Sequence, residues 1–404
     1  MLVRGTTSRA AAEHLVAVGH HLRLAWPVFV VFLAQRFLTV ALIHHQAGDL
    51  GKLVSRWDAG WYLRLAEGGY VYPNISPDGR VRASNLAYFP LFPWLVRRVD
   101  DLSPLSTAQA LLAVSWFGGL LAVWAIFAVG NALYGRWAGV ALAALWGMAP
   151  ASLALTMGYP EGMFTAAAAG ALYFLLRRRP VWAGACALVA GLLRPSAVAV
   201  IAMVGVYFLV ELWRWSAQRR SRPEDPVAPP RYLAPQAGEP APVAAFVGTA
   251  LSALGLAAFM VYVGVRTGEV FGYFTVQAQW GQSGAGTAEY VQRIADGLFE
   301  AKAGSPIPMT IAAAMAYVLL FCLVVFNREL VWASVYALGI LVVSLTHVTF
   351  QHVYARQLLP AFVLLIPLVR MRVPRAGAIL ALAVGSVLMS WASAHFLLTP
   401  TAGL

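Results

Sequence analysis

The chain has 404 residues, of which 60% are hydrophobic and only 11% are charged, and its mean hydropathy is +0.70. A soluble domain carries roughly 25% charged residues, so the composition excludes an ordinary soluble protein and predicts a polytopic membrane protein. The net charge of +12 fits cytoplasmic arginines and anionic lipid better than nucleic acid. We therefore expect membrane lipids as partners and no nucleic acid.

Apolar runs near the ~20 residues that a spanning helix needs follow one another along the chain. They predict an all-α bundle of about eleven transmembrane helices in a single domain, 1–404. The predicted spans are residues 26–44, 107–131, 137–156, 160–176, 181–193, 196–213, 243–265, 308–326, 330–346, 353–370 and 376–397.

The placement of arginines orients these spans. With the N-terminus inside, residues 177–179, the tract 214–222 and residues 370–372 all fall inside, as the positive-inside rule requires. If the break at Arg194 were removed, the last cluster would fall outside. The charge pattern therefore predicts two separate short helices around Arg194.

This orientation predicts two long outer loops, 45–104 and 266–306, and a Pro- and Arg-rich cytoplasmic linker, 214–242. The loop 45–104 is the largest outer element, and residues 57–69 predict an amphipathic helix lying in the membrane interface. Each predicted span takes the chain to the other side of the membrane. Counted from an inside N-terminus, polar residues that are distant in the sequence therefore fall on the outer side: Asp58, Glu161, Arg194 and the region 347–356.

Asp58 lies among aromatic side chains in the stretch Arg56–Tyr62, just after the first span. Acidic residues are rare in this chain, which has 17 of them, and an acid at a membrane face is a candidate for chemistry. Asp58 could be a helix N-cap or a salt-bridge partner. It could equally be a general base that faces a cavity.

Three further motifs each have a structural and a functional interpretation. The two prolines of Tyr88–Pro93 break a regular helix at membrane depth, which is tolerated only against protein or water. Glu161, after Tyr159 and Pro160, opens a helix, and the helix dipole alone explains an acid there. Arg194 stands at the outer end of a broken helix, where it could snorkel or bind a phosphate.

His347, Gln351, His352 and Arg356 lie close together in the sequence. His352 and Arg356 are four residues apart and would share a helix face, which suits a phosphate-like anion. The two histidines could instead bind a metal, but their spacing of five does not share a face well, and we expect no metal. The chain has no phosphate-binding glycine loop, HExxH, CxxC or nucleophile elbow, which leaves nucleotide hydrolysis and zinc chemistry unsupported.

The stretch Arg56–Tyr62 and the motif Tyr88–Pro93 resemble the PIG-V-type mannosyltransferases, relatives of the second GPI mannosyltransferase in the GT-C superfamily. Gly60 and Trp61 stand where eukaryotic members usually carry an acidic or His-containing pair, which indicates a bacterial branch. The resemblance covers roughly residues 26–370. Later segments that resemble family motifs are Tyr159–Glu161, Leu193–Pro195, Arg266–Glu269, Gln279–Gly281 and Arg356–Pro360.

The resemblance implies a GT-C-like bundle and an inverting transfer of mannose from polyprenyl-phosphate-mannose to a lipid- or glycan-linked acceptor. The reaction would take place on the outer face of a bacterial plasma membrane, with Asp58 as general base and without a cofactor or a tightly bound metal. The residues implied for the donor phosphate are Arg356, His352, Arg194, Gln351 and His347. The residues implied for the acceptor or for the frame of the site are Arg56, Trp57, Trp61, Tyr88, Phe89 and Glu161.

Two other functional classes stay open. A lipid-linked sugar flippase or transporter would need polar residues through the bilayer midplane, and apart from Gln35 and Arg36 the predicted helices have few. A non-catalytic membrane subunit would leave the outer Asp and Arg residues unexplained.

Overall fold

The computed structural model describes residues 4–75, 83–149, 151–220, 242–280, 319–327, 330–346, 353–370 and 375–398. Over these ranges the chain forms helices and turns and no β-strand, which confirms the predicted all-α class. Five described helices are long and apolar enough to cross a membrane: Arg23–Ala47, Thr107–Tyr134, Ala197–Ala217, Val243–Thr267 and Ala376–Leu398. The chain is therefore a multi-pass helical membrane protein, as predicted.

We label the helices in chain order. They are α1 Arg4–Ala47, α2 Lys52–Ser55, α3 Asp58–Gly68, α4 Leu91–Leu102, α5 Thr107–Tyr134, α6 Arg136–Gly147, α7 Glu161–Leu176, α8 Pro180–Gly191, α9 Ala197–Arg220, α10 Val243–Thr267, α11 Gly272–Gln279, α12 Val331–Thr346, α13 Val353–Leu358, α14 Ile366–Arg370 and α15 Arg375–Leu398. Residues 319–325 are also helical. Three 3₁₀ turns lie at Asn85–Ala87, Ser152–Leu155 and Phe362–Leu365.

Several predicted crossings are short or broken helices. The span 137–156 is α6, of 12 residues, followed by the turn Ser152–Leu155. The span 353–370 is α13, the turn Phe362–Leu365 and α14. At 1.5 Å per residue a helix of this length covers only about 18 Å, against a hydrocarbon core of ~30 Å. The predicted span 308–326 lies mostly outside the described residues.

The helix break predicted around Arg194 is present, but the prediction that both flanking helices are short is wrong for α9, which has 24 residues. Helix α8 ends at Gly191 and α9 begins at Ala197. Pro195 lies between them, and a proline has no backbone N–H to continue the helical hydrogen bonds. The chain therefore turns back at Arg194, and this residue lies at one end of the bundle.

Contacts between distant segments show which helix ends lie together. The Arg56 guanidinium donates to the carbonyl of Leu397, and the Trp280 indole donates to the carbonyl of Ser84 at 2.9 Å. The segment after α1, the end of α11 and the end of α15 therefore meet at one end of the bundle, which we call the site end.

The opposite end, which we call the arginine end, is defined by a different set of contacts. Arg136 donates to the carbonyl of Leu24 at 3.3 Å, and the Arg370 guanidinium lies 5.4 Å from the centre of the Tyr134 ring. The exposed arginines 177–179, which follow α7, belong to this end. Arg177–Arg179 and Arg370 thus lie at the end of the bundle opposite the described part of the loop 45–104.

Small residues let the helices that carry the site approach closely. A Cβ atom on Gly162 of α7 would lie 2.6 Å from the Gly119 nitrogen of α5, and one on Gly184 of α8 would lie 2.1 Å from the Gly248 oxygen of α10. Glycines at helix contacts are typical of membrane bundles, where packing drives association. The close contact at Gly162 fixes the neighbouring Glu161 at the start of α7.

Arg36, in the middle of α1, stabilises the interrupted backbone after α6. Its side chain is buried, and its guanidinium donates to the carbonyls of Gly147, at 2.7 Å, and Ser152, and to the Thr156 hydroxyl at 3.2 Å. A helix end leaves carbonyls without partners, and lipid offers none. Arg36 therefore supplies donors to the segment that leads from α6 to Glu161.

Candidate active site

Four charged side chains from four elements form a continuous network at the site end. Arg356 of α13 donates to Asp58 Oδ2 at 2.5 Å, and its Nε lies 3.5 Å from Glu161 Oε1. Arg194, between α8 and α9, pairs with the same Glu161 oxygen at 2.6 Å. The charges alternate in the order Asp58, Arg356, Glu161, Arg194, so the network is formally neutral.

The members of this network differ in exposure. The side chain of Glu161 is 1% exposed, those of Arg356 and Arg194 are 9% and 11% exposed, and that of Asp58 is 27% exposed. Buried charges are tolerated when they are paired, which accounts for the central position of Glu161. Because Asp58 is the most accessible member, a bound molecule would meet it first.

Asp58 owes its position to an unusual backbone conformation. It is the first residue of α3, and the preceding Trp57 has φ 53° and ψ −135°. Positive φ is uncommon for a non-glycine residue, and such conformations cluster at functional sites. Asp58 is not an N-cap, because Trp57 occupies that position; its carboxylate points to Arg356 and Tyr88 instead.

The structure adds a role to Glu161 and changes the interpretation of Arg194. Glu161 is the first residue of α7, where the helix dipole favours an acid. It also provides the carboxylate that both arginines share. Arg194 does not reach into solvent, since its guanidinium is held by Glu161. Snorkelling is therefore the wrong interpretation of Arg194.

Aromatic side chains form a wall beside Asp58. The Tyr88 hydroxyl donates to Asp58 Oδ1 at 2.9 Å. The Tyr88 ring stacks on Trp61 at 6.1 Å between centroids, and Trp280 lies edge-on to both, at 4.9 Å from Trp61 and 5.5 Å from Tyr88. Burial, and then the Asp58 charge, raise the pKa of Tyr88 above its usual range. The hydroxyl therefore keeps its proton and acts as a donor.

Three aromatic residues at the site were not among the predicted site residues. Tyr62 packs edge-on against Tyr88 at 5.0 Å, the Arg356 guanidinium lies 5.0 Å from the centre of the Tyr159 ring, and Trp280 completes the wall. Burial, and next the Glu161 charge, raise the pKa of Tyr62 well above its usual range. Each of the three belongs to a motif noted in the sequence, which was the signal available for finding them.

Arg56, Trp57 and Phe89 lie outside the charge network. Arg56 donates to the Leu397 carbonyl, and the Trp57 ring lies 5.8 Å from that of Phe396, so both tie the Asp58 segment to α15. Phe89 belongs to a separate apolar cluster, and its ring lies 4.4 Å from that of Phe259. These three residues frame the site.

Other predicted ligands fall beyond what the structure covers. His347, Gln351 and His352 lie outside the described residues, so their role at a donor phosphate stays a prediction. Among the residues that the structure does describe, no group of three or more His, Cys, Asp or Glu side chains could hold a metal ion.

No family model matches the chain, and no curated protein matches it. Solved structures to which the chain is similar include the following three. ArnT from Cupriavidus metallidurans bound to undecaprenyl phosphate is 18% identical over 88% of this chain and 62% of that one, with a TM-score of 0.47. The oligosaccharyltransferase of Archaeoglobus fulgidus, in complex with Zn and sulfate, is 14% identical over 90% of this chain and 53% of that one, with a TM-score of 0.47. The apo state of the same ArnT is 18% identical over 91% of this chain and 61% of that one, with a TM-score of 0.44. This chain thus spans less than two thirds of each of these proteins.

Proposed function

We propose that this chain is an inverting glycosyltransferase of the GT-C type that moves mannose from polyprenyl-phosphate-mannose to a lipid- or glycan-linked acceptor. The observation that carries the proposal is the accessible Asp58 carboxylate, which is paired with Arg356 beside an aromatic wall at one end of an apolar bundle. The motif resemblance supplies the reaction and the sugar. The geometry brings a carboxylate and two arginines to one place, which supports the proposal.

In the proposed reaction the acceptor hydroxyl oxygen attacks the anomeric carbon of the donor sugar. The bond from that carbon to the phosphate oxygen breaks, and the configuration at carbon inverts. Asp58 accepts the hydroxyl proton as the new glycosidic bond forms. The polyprenyl phosphate leaves with the bonding electron pair and needs no protonating acid.

Arg356 and Arg194 are the described cations that could stabilise the leaving phosphate. Negative charge on that phosphate grows as the sugar departs, and donors placed to meet growing charge lower the barrier. Arg356 contacts Asp58 directly, whereas Arg194 is held by Glu161. We therefore assign the donor phosphate first to Arg356.

The transporter alternative would need polar residues at membrane depth, and Gln35 and Arg36 are the exceptions among predicted helices that have few. Arg36 donates to backbone carbonyls and a threonine hydroxyl, and Gln35 donates to the Ser386 hydroxyl at 2.8 Å. Both side chains thus serve helix packing, and the described residues give the transporter no specific support.

The test of the proposal is transfer by the purified full chain in lipid nanodiscs. Radiolabelled polyprenyl-phosphate-mannose is incubated with a membrane lipid extract, and label in new products is measured. We expect transfer by the wild type and at least about 100-fold less by Asp58→Asn, the usual scale for a general base. Near-normal transfer by folded Asp58→Asn would falsify the role of this carboxylate.

Asp101→Asn is the matched control for Asp58→Asn. It makes the same chemical change in an exposed pair, Arg98–Asp101, whose side chains are 57% and 48% exposed at 3.7 Å. Exposed pairs contribute little, so this variant should transfer at the wild-type rate. If the wild type uses another polyprenyl-phosphate sugar and ignores the mannose donor, the assignment of mannose is wrong and the reaction class stands.

The proposal places the site on the outer face of a bacterial plasma membrane, because the exposed arginines lie at the opposite end of the bundle. We expect a cysteine at Asn74, beside the site, to react with an impermeant reagent in intact cells after Cys186 and Cys322 are replaced by serine. A cysteine at Arg178 should react only in permeabilised cells. The reverse pattern would place the site inside the cell.

A further inference from the structure

The Asp58 carboxylate is bonded on both of its oxygens. Tyr88 donates to Oδ1 at 2.9 Å, and Arg356 donates to Oδ2 at 2.5 Å. The guanidinium charge balances the carboxylate charge. In this arrangement a donor phosphate meets an arginine that is already neutralised, and an acceptor hydroxyl meets a carboxylate that already accepts two hydrogen bonds.

Arg356 has a second carboxylate within reach. Its Nε lies 3.5 Å from Glu161 Oε1 and makes no hydrogen bond there, although the atom is buried. Glu161 is itself fixed by Arg194 at 2.6 Å and by its place at the start of α7. Glu161 therefore stays beside Arg356 when Arg356 leaves Asp58, and this one carboxylate, shared with Arg194, leaves a positive charge for a phosphate to meet.

The two carboxylates that Arg356 contacts thus differ in kind. Glu161 is 1% exposed and shared by two arginines, so a ligand cannot replace it. Asp58 is 27% exposed and faces the aromatic wall. A phosphate has the same acceptor chemistry as a carboxylate, and an arginine fork binds either of them. The partner that an incoming phosphate can displace is Asp58.

We propose that the Asp58–Arg356 pair opens when the donor phosphate binds. The phosphate takes the Arg356 guanidinium from Asp58, one N–H···O hydrogen bond replaces another, and the freed Asp58 oxygen turns to the acceptor hydroxyl. This inference rests on the proposed function. It makes donor binding precede activation of the acceptor, and it makes the closed pair a competitor of the donor phosphate.

The competition predicts that loss of a site residue makes phosphate binding tighter, where a weaker affinity is the usual result. If only a fraction of the molecules have Arg356 free, the apparent dissociation constant for phosphate equals the intrinsic constant divided by that fraction. Removing the carboxylate should therefore strengthen phosphate binding while it abolishes catalysis. We expect Asp58→Asn to bind polyprenyl phosphate about 10-fold more tightly than the wild type, as for a pair that is closed in about nine molecules of ten.

The experiment measures binding of sugar-free polyprenyl phosphate to the full chain in nanodiscs, for a double-mutant cycle of Asp58→Asn and Arg356→Gln. Arg356→Gln should weaken binding. In the Arg356→Gln background, Asp58→Asn should change nothing, because no guanidinium is left to release. Asp101→Asn makes the same chemical change in an exposed pair outside the charge network and should bind as the wild type does. Thermal unfolding of each variant checks that it is folded.

Three results would overturn the inference in different ways. Equal binding by wild type and Asp58→Asn, with weaker binding by Arg356→Gln, would leave the proposed function intact and reject the opening of the pair. Tighter binding by Asp58→Asn in both backgrounds would show a general effect of net charge. Absence of polyprenyl-phosphate binding in all four proteins of the cycle would reject both the inference and the proposed donor.

Discussion

Arg36 and Arg356 are both buried arginines of this bundle, with 2% and 7% of the whole residue exposed, yet they are held by different partners. Arg36 donates to backbone carbonyls and a hydroxyl, and no ion pair is found for it among the described residues. Arg356 lies between two carboxylates, Asp58 and Glu161. One arginine has neutral partners that belong to the fold, and the other has charged partners, one of them accessible.

This difference separates a structural arginine from a candidate binding arginine. Carbonyl oxygens at a helix end cannot be exchanged for a ligand without breaking the backbone arrangement they belong to. A carboxylate that is partly exposed can be replaced by another anion such as phosphate. The location of an arginine in an apolar segment is therefore less informative than the kind of oxygen that holds it.

The largest effect is expected at Arg356. Arg356→Gln removes the guanidinium from the proposed leaving group, and the transfer rate should fall by about 100-fold, the scale for a lost charge-stabilising donor. Arg356→Lys keeps the charge but loses the two-pronged geometry, so it should also be impaired. Donor titration at fixed acceptor should show a lower maximal rate and a raised donor requirement.

Arg98→Gln is the matched control, because Arg98 forms an exposed pair with Asp101 that is not part of the charge network. It should leave the titration unchanged. If Arg356→Gln has no effect on donor dependence while Arg194→Gln abolishes transfer, the phosphate belongs to Arg194 and the contrast with Arg36 has been drawn at the wrong residue.

Arg36 should show the opposite pattern. Arg36→Met fills similar space but leaves the carbonyls of Gly147 and Ser152 without their donor, which should cost about 1–3 kcal/mol of stability. Thermal unfolding should occur at a lower temperature, whereas the affinity for polyprenyl phosphate should stay at the wild-type value. Lost affinity with unchanged unfolding would mean that Arg36 acts at the site and that the comparison is wrong.

The sequence was sufficient for the class of fold and for the prediction that four distant polar residues lie at the same end of the bundle. Apolar runs and alternating arginine clusters placed Asp58, Glu161, Arg194 and Arg356 on one side, and the structure brings these four together. What hydropathy could not predict is which charge pairs with which, because Asp58 and Arg356 lie on separate helices and 298 residues apart in the chain.

The helix interruption after α6 was also beyond the sequence pattern. The run 137–156 is continuously apolar, so it predicted one crossing, whereas the chain ends α6 at Gly147. The donors that make this break tolerable come from Arg36, more than a hundred residues away. Partners so distant leave no periodic signal in the sequence around the break.

The smallest effect is expected where the fold positions Glu161. Gly162→Ala adds a Cβ that would lie 2.6 Å from the Gly119 nitrogen, so α5 and α7 must separate slightly. An added methyl in a packed contact costs about 1 kcal/mol, and the separation shifts Glu161 away from Arg194 and Arg356.

Gly205→Ala is the control, because a Cβ there meets nothing within 4 Å. We expect Gly162→Ala to unfold at a lower temperature and to bind polyprenyl phosphate more weakly, and Gly205→Ala to match the wild type in both measurements. Lower stability with unchanged binding would show that Glu161 does not hold Arg356 in its binding position. Arg356 would then depend on Asp58 alone.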